Sequence, residues 1–232
     1  MRQNYKIHKR KDGRWYARFQ KGRTPDGKAE FGYVYGKTEE EVKERMLAVA
    51  PGYRKHRQLN LLILGAGTHG KDVKEIAQSL QIFKDIKFLD DMIKGDDVIG
   101  KCSEAHLFRD EYPCAFIAIG DNKVRKKYAS YLIENRFLIP SLIAPSAEVS
   151  ANAEIGEGTV VMPRTSLGAV DVGDFCIVSS GCIINSDVQL NDYVRIDSGA
   201  IVPKGTEIPT EVWVKSGEIY NKDDTKSTKA IS

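Results

Sequence analysis

Between positions 143 and 214 an aliphatic residue returns at nearly every sixth place. The column reads Ile143, Val149, Ile155, Val161, Leu167, Val172, Val178, Ile184, Leu190, Ile196, Val202, Ile208, Val214. Its register slips once, by a single residue, between Leu167 and Val172. Two places before each member from Val149 onward stands a small or β-branched residue: Ala147, Ala153, Thr159, Thr165, Val170, Cys176, Cys182, Val188, Val194, Ala200, Thr206, Val212. A period of six fits neither a helix nor a plain strand. It fits a hexapeptide solenoid with three short faces per coil and one aliphatic per face pointing into a narrow core. Residues 142–220 are therefore expected to form a parallel β-helix of roughly four coils.

Two smaller domains precede it. Residues 1–57 read as three strands, near Tyr5–Lys9, Arg14–Gln20 and Glu30–Tyr35, separated by turns at Asp12-Gly13 and Pro25-Asp26-Gly27. A helix follows from the capping box Thr38-Glu39-Glu40-Glu41, through Val42, Met46 and Val49, and stops before Pro51-Gly52. Trp15, Tyr16, Phe19, Phe31, Tyr33 and Tyr35 are expected to give the sheet an aromatic face under that helix. Arg54–Gln58 is a short basic linker. Residues 58–141 read as a small α/β unit with strands at Leu61–Leu64, Ile86–Leu89 and Ala115–Ile119. Its helices run through Val73, Ile76, Ala77 and Leu80, and from Val124 to Asn135, which predicts a parallel sheet with right-handed crossovers. The polar stretch 221–232 is expected to be disordered. The fold class is thus α/β plus an all-β solenoid, with a small three-stranded sheet and helix in front.

Charge is unevenly shared. Residues 1–57 carry 16 Lys+Arg and 7 Asp+Glu, so about +9, on a chain whose formal net charge is +3. A basic head on an acidic body points to a polyanionic partner for the head. No apolar run reaches the roughly 18 residues of a membrane span, and the first residues hold no apolar leader segment, so a cytoplasmic protein without a membrane partner is expected. Cys102, Cys114, Cys176 and Cys182 form no C-x-x-C pair. Cys176 and Cys182 fall in the small inward column and read as buried, inert thiols.

Gly65-x-Gly67-x-x-Gly70 follows a strand and precedes a helix, with Asp90 and Asp91 about twenty residues on. Glycines let a backbone approach a phosphate, and the helix N-terminus supplies N–H donors. A unit this short has one half of a dinucleotide fold, which suits a single nucleotide diphosphate better than a dinucleotide.

The head resembles the arm-DNA-binding (AP2-like) domain at the N-terminus of bacterial tyrosine-recombinase integrases through KRKDGRWYARF, KGRTPDGK and YVYGKTEEEVKE. That resemblance implies nucleic-acid binding by the sheet, with Lys9, Arg10, Lys11, Arg14, Arg18, Lys21, Arg23 and Lys28 on phosphates. No recombinase catalytic domain follows.

Over about 60–220, the order G-x-G-x-H-G-K, F-L-D-D, A-I-G-D-N-x-x-R and then P-S-x-x-S-A-x-I-G-x-G resembles the bacterial sugar-nucleotide N-acyltransferases and sialic-acid O-acetyltransferases. The resemblance implies a left-handed β-helix, a homotrimer, and acetyl-CoA or another acyl-CoA as co-substrate in the groove between adjacent solenoids. It also implies a uridine or cytidine sugar diphosphate held by Gly65, Gly67, His69, Gly70, Lys71, Asp90, Asp91, Gly120, Asp121, Asn122 and Arg125. The family's general base is a solenoid histidine. Here the stretch reads Ile184-Asn185-Ser186-Asp187, so Ser186, with Asp187 beside it, holds the catalytic position. Arg195 replaces a second histidine that contacts the acyl carbonyl, and Pro203-Lys204-Gly205 replaces small residues lining the groove. Arg195, Lys204 and Gly205 are the expected groove residues. The resemblance implies a further coil and a G-V-P-A-like tail, for which no match is expected in this sequence. A serine hydroxyl without a base of its own cannot take a proton near neutral pH, and an exposed carboxylate has a pKa near 4. A γ-class carbonic anhydrase shares the solenoid, but its metal needs a histidine cluster that His8, His56 and His106 cannot form, so no metal is expected. Two readings remain open: an acyltransferase acting on a nucleotide-linked sugar, and a degenerate trimeric binder of such sugars with a nucleic-acid-binding head.

Overall fold

The computed structural model describes residues 7–10, 13–23, 29–49 and 59–221. The chain divides into two compact units, Met1–Leu59 and Asn60–Ser232. Lys11, Lys28, the Pro25-Asp26-Gly27 turn, the Arg54–Gln58 linker and the tail from position 222 lie outside the described residues.

In the first unit β1 (Ile7–Lys9), β2 (Trp15–Arg23) and β3 (Ala29–Gly36) form an antiparallel sheet in that order, followed by α1 (Glu39–Val49). Gly13, at φ +90°, closes the first turn with its N–H on the Arg10 carbonyl. Thr38 caps α1 by accepting from the Glu41 N–H at 3.1 Å. The expected capping box is not completed in the usual way, because the Glu41 carboxylate accepts from the Lys37 N–H, one residue before the cap.

The aromatic face is a correction. Ile7 pairs with Ala17, and Ala17 with Val34. Ala17 and Val34 bury against Val42 and Met46 of α1, with Ile7 and Trp15 alongside. Successive strand residues point to opposite faces, so Tyr16, opposite His8 and Tyr35, and Tyr33, opposite Arg18, belong to the face away from the helix. Their rings touch one another there: His8–Tyr16 at 5.4 Å, Tyr16–Tyr35 at 6.1 Å and Tyr33–Tyr35 at 6.4 Å between centroids. Only Trp15 of the described aromatic side chains sits beside the helix.

The second unit opens with a four-stranded sheet. It contains β4 (Leu59–Leu64), β5 (Phe83–Leu89), β6 (Val98–Gly100) and β7 (Cys114–Ile117), in the order β6-β5-β4-β7. β5 pairs with β6, and β4 with β7, in parallel. α2 (Thr68–Ser79) follows β4, and α3 (Asn122–Glu134) follows β7. β6 and the 3-10 helix Cys102–Phe108 have no counterpart among the expected elements, since a three-residue run shows no period.

The solenoid matches the six-residue column. Leu142–Ile143, Val160–Val161, Ile177–Val178, Arg195–Ile196 and Trp213–Val214 stack in parallel as a first face. Glu148–Val149, Ser166–Leu167, Ile183–Ile184 and Ile201–Val202 form the second. Glu154–Ile155, Asp171–Val172, Gln189–Leu190 and Glu207–Ile208 form the third. The aliphatic column and most of the small column share one core. The sequence slip appears as a coil one residue short: Glu154 pairs with Asp171 and Val160 with Ile177, whereas Asp171 pairs with Gln189 and Ile177 with Arg195.

Polar members of the small column serve the corners. Thr159 Oγ1 donates to the Gly173 carbonyl and accepts from the Cys176 N–H, both at 2.9 Å. Cys176 and Cys182 donate their S–H groups to the Asn191 and Asp197 carbonyls. All four cysteines are free and buried. Burial pushes the Cys176 thiol up to about 12 and the Cys182 thiol to about 11, far from a reactive thiolate.

Each face presents different chemistry outward. On the first face Leu142, Val160 and Ile177 are buried, and α2 lies against the first of these strands. The second presents Ile183, Ile201 and, bridged beyond it, Ile219. The third presents Glu154, Asp171, Gln189 and Glu207.

Candidate functional site

Local backbone geometry sorts the three glycines into different tasks. Gly65 stands at φ +102°, and a Cβ there would press on the Ala118 carbonyl oxygen at 2.8 Å. A Cβ at Gly70 would collide with the Gly65 carbonyl. Gly67 precedes α2 at φ −68°, with nothing within 4 Å of its missing Cβ. Gly65 and Gly70 therefore let the turn pack tightly, whereas Gly67 leaves open space at the helix N-terminus, where N–H groups without helical partners can meet an anion.

His69 lies on this turn. Its Nε2 is buried without a hydrogen-bond partner among the described residues. Burial lowers its pKa to about 4; Asp72 and Asp197 work against that shift, and the Arg195 and Arg125 charges reinforce it. The imidazole is therefore neutral at pH 7. Lys71 is exposed at the next position but one before Val73.

Of the two acids after β5, Asp90 braces the glycine turn and Asp91 bonds elsewhere. Asp90 accepts from the Ala66 N–H at 2.8 Å, and from the Met92 and Ile93 N–H groups at 2.8 and 2.7 Å. Partial burial opposes its charge, but these three donors outweigh it and lower the carboxyl pKa. Asp91 accepts from the Cys102 N–H and, at 3.2 Å, from the Tyr128 hydroxyl.

The Gly120-Asp121-Asn122 turn docks the α/β unit on the solenoid. Asp121 caps α3 by accepting from the Val124 N–H. Arg125, 1% exposed, donates to the Phe175, Tyr193, Ile119 and Gly120 carbonyls and to Asn122 Oδ1. Burial lowers its pKa to about 10, which still leaves it charged. Asn122 Nδ2 donates to the Glu211 carbonyl, and Lys126 pairs with the Glu211 carboxylate. Phe175, Tyr193 and Glu211 follow one edge of the solenoid, between the third and first faces. Arg125 and Asn122 thus spend their polar atoms on a joint that orients the glycine turn over the first face.

Ser186 and Asp187 lie on a different edge, between the second and third faces. Ser186 Oγ is 3.4 Å from the Ala169 N–H, which donates to it. Asp187 is exposed and pairs with Lys204 at 3.2 Å. Among the described residues no histidine bonds to Ser186. Within one chain Arg195 is on the first face, and Lys204 and Gly205 are on the Ser186 edge. Sequence reasoning misses Asp197, whose charge bears on His69, because it looks like an ordinary outward solenoid position. No group of three His, Cys, Asp or Glu among the described residues is placed to hold a metal.

A glycine turn over a β-helix face defines a class in which a parallel α/β unit is joined to a hexapeptide solenoid. The PglD N-terminal domain family matches residues 60–132. The acetyltransferase domain of PglB from Neisseria gonorrhoeae FA1090 superposes with a TM-score of 0.65 at 33% identity, covering 68% of this chain and 80% of that one; it has also been solved with acetyl coenzyme A. GDP-perosamine N-acetyl transferase from Caulobacter crescentus, solved as a point mutant with CoA and GDP-perosamine, gives a TM-score of 0.56 at 25% identity over 68% of this chain and 86% of that one. UDP-N-acetylbacillosamine N-acetyltransferase of Bacillus subtilis (strain 168) is 36% identical over 110 residues, 44% of this chain; the match spans about half (51%) of that curated relative. The chain belongs to the sugar N-acyltransferase family.

Proposed function

We propose that the protein binds a uridine or cytidine sugar diphosphate at the glycine turn, as a trimer of left-handed β-helices, and that acyl transfer from acyl-CoA proceeds without a solenoid base. The observation that carries this reading is the pairing of an open helix N-terminus at Gly67 with a Ser186 to which no histidine bonds among the described residues. The relatives that hold CoA or a nucleotide sugar support both ligand classes. In the family reaction the solenoid base takes the proton from the sugar's amine or hydroxyl as the acyl carbon is attacked. Ser186 Oγ cannot accept that proton, and Asp187 is tied to Lys204 in solvent.

The test is calorimetry with acetyl-CoA and a panel of uridine and cytidine sugar diphosphates, followed by a free-thiol assay. Sugar-nucleotide binding with little turnover is expected. Ser186→His should then raise turnover by about 10²–10⁴-fold, the usual value of a positioned base. Robust wild-type turnover would overturn the loss of the base, and no binding of any panel member would overturn the pocket.

A second reading concerns the head. The face of its sheet away from α1 carries His8, Tyr16, Arg18, Tyr33 and Tyr35, with Arg10 over the Tyr35 ring. Together with the basic excess of residues 1–57, this supports nucleic-acid binding by the head.

A further inference from the structure

We propose that Arg195 is the solenoid's ligand for the diphosphate of the bound nucleotide sugar, and not a wall of the acyl-CoA groove. The inference rests on the nucleotide reading above and adds a residue from the β-helix to that pocket.

Position comes first. On the first face the outward residues run Leu142, Val160, Ile177, Arg195, Trp213. The first three are buried, whereas Arg195 keeps 29% of its side chain exposed. Arg195 is thus where the face emerges from its cover. Its Nη1 reaches the Gly120 carbonyl at 3.4 Å, and its charge bears on His69 of the glycine turn. A Cβ on Gly120 would lie 2.6 Å from Nη1, so the glycine there makes room for the guanidinium.

The guanidinium is also held in place. Nε donates to Asp197 Oδ1 at 2.7 Å, and the group lies 4.7 Å from the centroid of the Trp213 ring. Trp213 is itself fixed, its indole N–H donating to Asp197 Oδ2 at 2.7 Å. One carboxylate therefore orients both side chains. A planar, fixed fork suits an anion with several equivalent oxygens better than it suits a single carbonyl.

Charge and free donors point the same way. Nη2 donates to no acceptor among the described residues, so half of the fork remains for a ligand. Lys215 brings a second cation, 3.4 Å from the Trp213 centroid, with no carboxylate at ion-pair distance among the described residues. Asp197 is the acid bonded to this cluster, and both of its oxygens are occupied.

CoA also carries a diphosphate, so the test needs both ligands. Calorimetry of the full chain with UDP, CDP and CoA would compare wild type, Arg195→Gln and Arg195→Lys, with thermal midpoints confirming that each variant folds. Arg195→Gln should weaken the tighter of UDP and CDP by about ten- to a hundredfold, the usual scale for a lost charged hydrogen bond, and leave CoA affinity unchanged. Arg195→Lys, which keeps the charge without the fork, should lose most of the same affinity and covers the case of a Gln variant that fails to fold. A selective loss of CoA binding would overturn the proposal and return Arg195 to the acyl-CoA groove. Unchanged UDP and CDP affinity in a folded variant would overturn it too, leaving the glycine-turn reading intact. Failure of wild type to bind either diphosphate would overturn that reading and the proposal together.

Discussion

At the scale of single residues, the glycine motif is legible in sequence but its division of labour is not. Gly65, Gly67 and Gly70 look equivalent in a pattern. Only the φ of +102° at Gly65 and the carbonyl against Gly70 show which two hold the turn and which one faces open space. The same blindness affects Arg125. The motif suggests it for the ligand, and two of the carbonyls that take its N–H groups, those of Phe175 and Tyr193, lie 50 and 68 residues away and leave no local trace. Two expected outcomes follow from this division. Gly67→Val should fold with a near-normal midpoint and lose sugar-nucleotide affinity in a titration, whereas Gly70→Ala should lose stability by about 1–3 kcal/mol, as overpacking does, in a denaturant melt. Equal midpoints for the two would contradict the assignment. His69 gives a pH signature. Its folded pKa of about 4 lies below its ordinary 6.5, so between those values the unfolded chain binds more protons. That part of the stability is complete above pH 6.5, falls as pH drops towards 4, and is constant below. His69→Gln should flatten the decline of the thermal midpoint across this window relative to wild type.

Elements repeat the lesson with more of the answer visible. The inward column is readable because every coil repeats the same burial, and even the short coil at Leu167–Val172 appears in the strand register. The corners are only half readable. Positive φ recurs six residues apart at Phe175, Gly181, Asp187, Tyr193, Gly199, Gly205, Glu211 and Gly217. Glycine marks half of these, while Phe175, Tyr193 and Glu211 carry the joint to α3 and look like ordinary residues in the string. The aromatic head misleads for a related reason: composition announces a face, and only the Ala17–Val34 pairing shows which face the helix covers. Outward columns now distinguish the solenoid's faces. The first is partly covered, the third is largely acidic, and the second exposes Ile183 at 45% and Ile219 at 63%, with Ile201 stacked between them. An apolar ladder of this kind is suited to burial against another copy. Ile201→Asp points outward and leaves the inner core untouched, so it should convert a trimer to monomers in light scattering while preserving the circular dichroism spectrum. A monomeric wild type at micromolar concentration would remove the basis for the expectation.

For the whole molecule, the two compact units divide the chemistry as the charge does. The basic excess sits in residues 1–57, while the glycine turn, its acids and the solenoid all lie beyond position 58. Truncation of residues 1–57 should therefore leave oligomeric state and sugar-nucleotide affinity unchanged. Nucleic-acid binding should behave differently. If Lys9, Arg10, Arg14 and Arg18 meet phosphates, affinity for duplex DNA should fall steeply with salt, with a log–log slope of about −0.9 for each phosphate neutralised. Three heads carried on one trimer would raise apparent affinity through effective concentration, provided that two can reach one duplex. A variant made monomeric by Ile201→Asp should accordingly bind DNA more weakly at an unchanged slope per head, which separates avidity from a change in the contact itself. Gel-shift titrations of full-length, truncated and Ile201→Asp proteins at two salt concentrations measure the affinity for duplex DNA, its salt slope and the gain from avidity. Full-length protein that fails to retain duplex DNA or RNA even at low salt would sink the nucleic-acid reading. The Tyr16–Tyr33–Tyr35 face would then have to be explained by a protein partner, because three neighbouring rings with Arg18 beside them also suit the aromatic and arginine composition of protein interfaces.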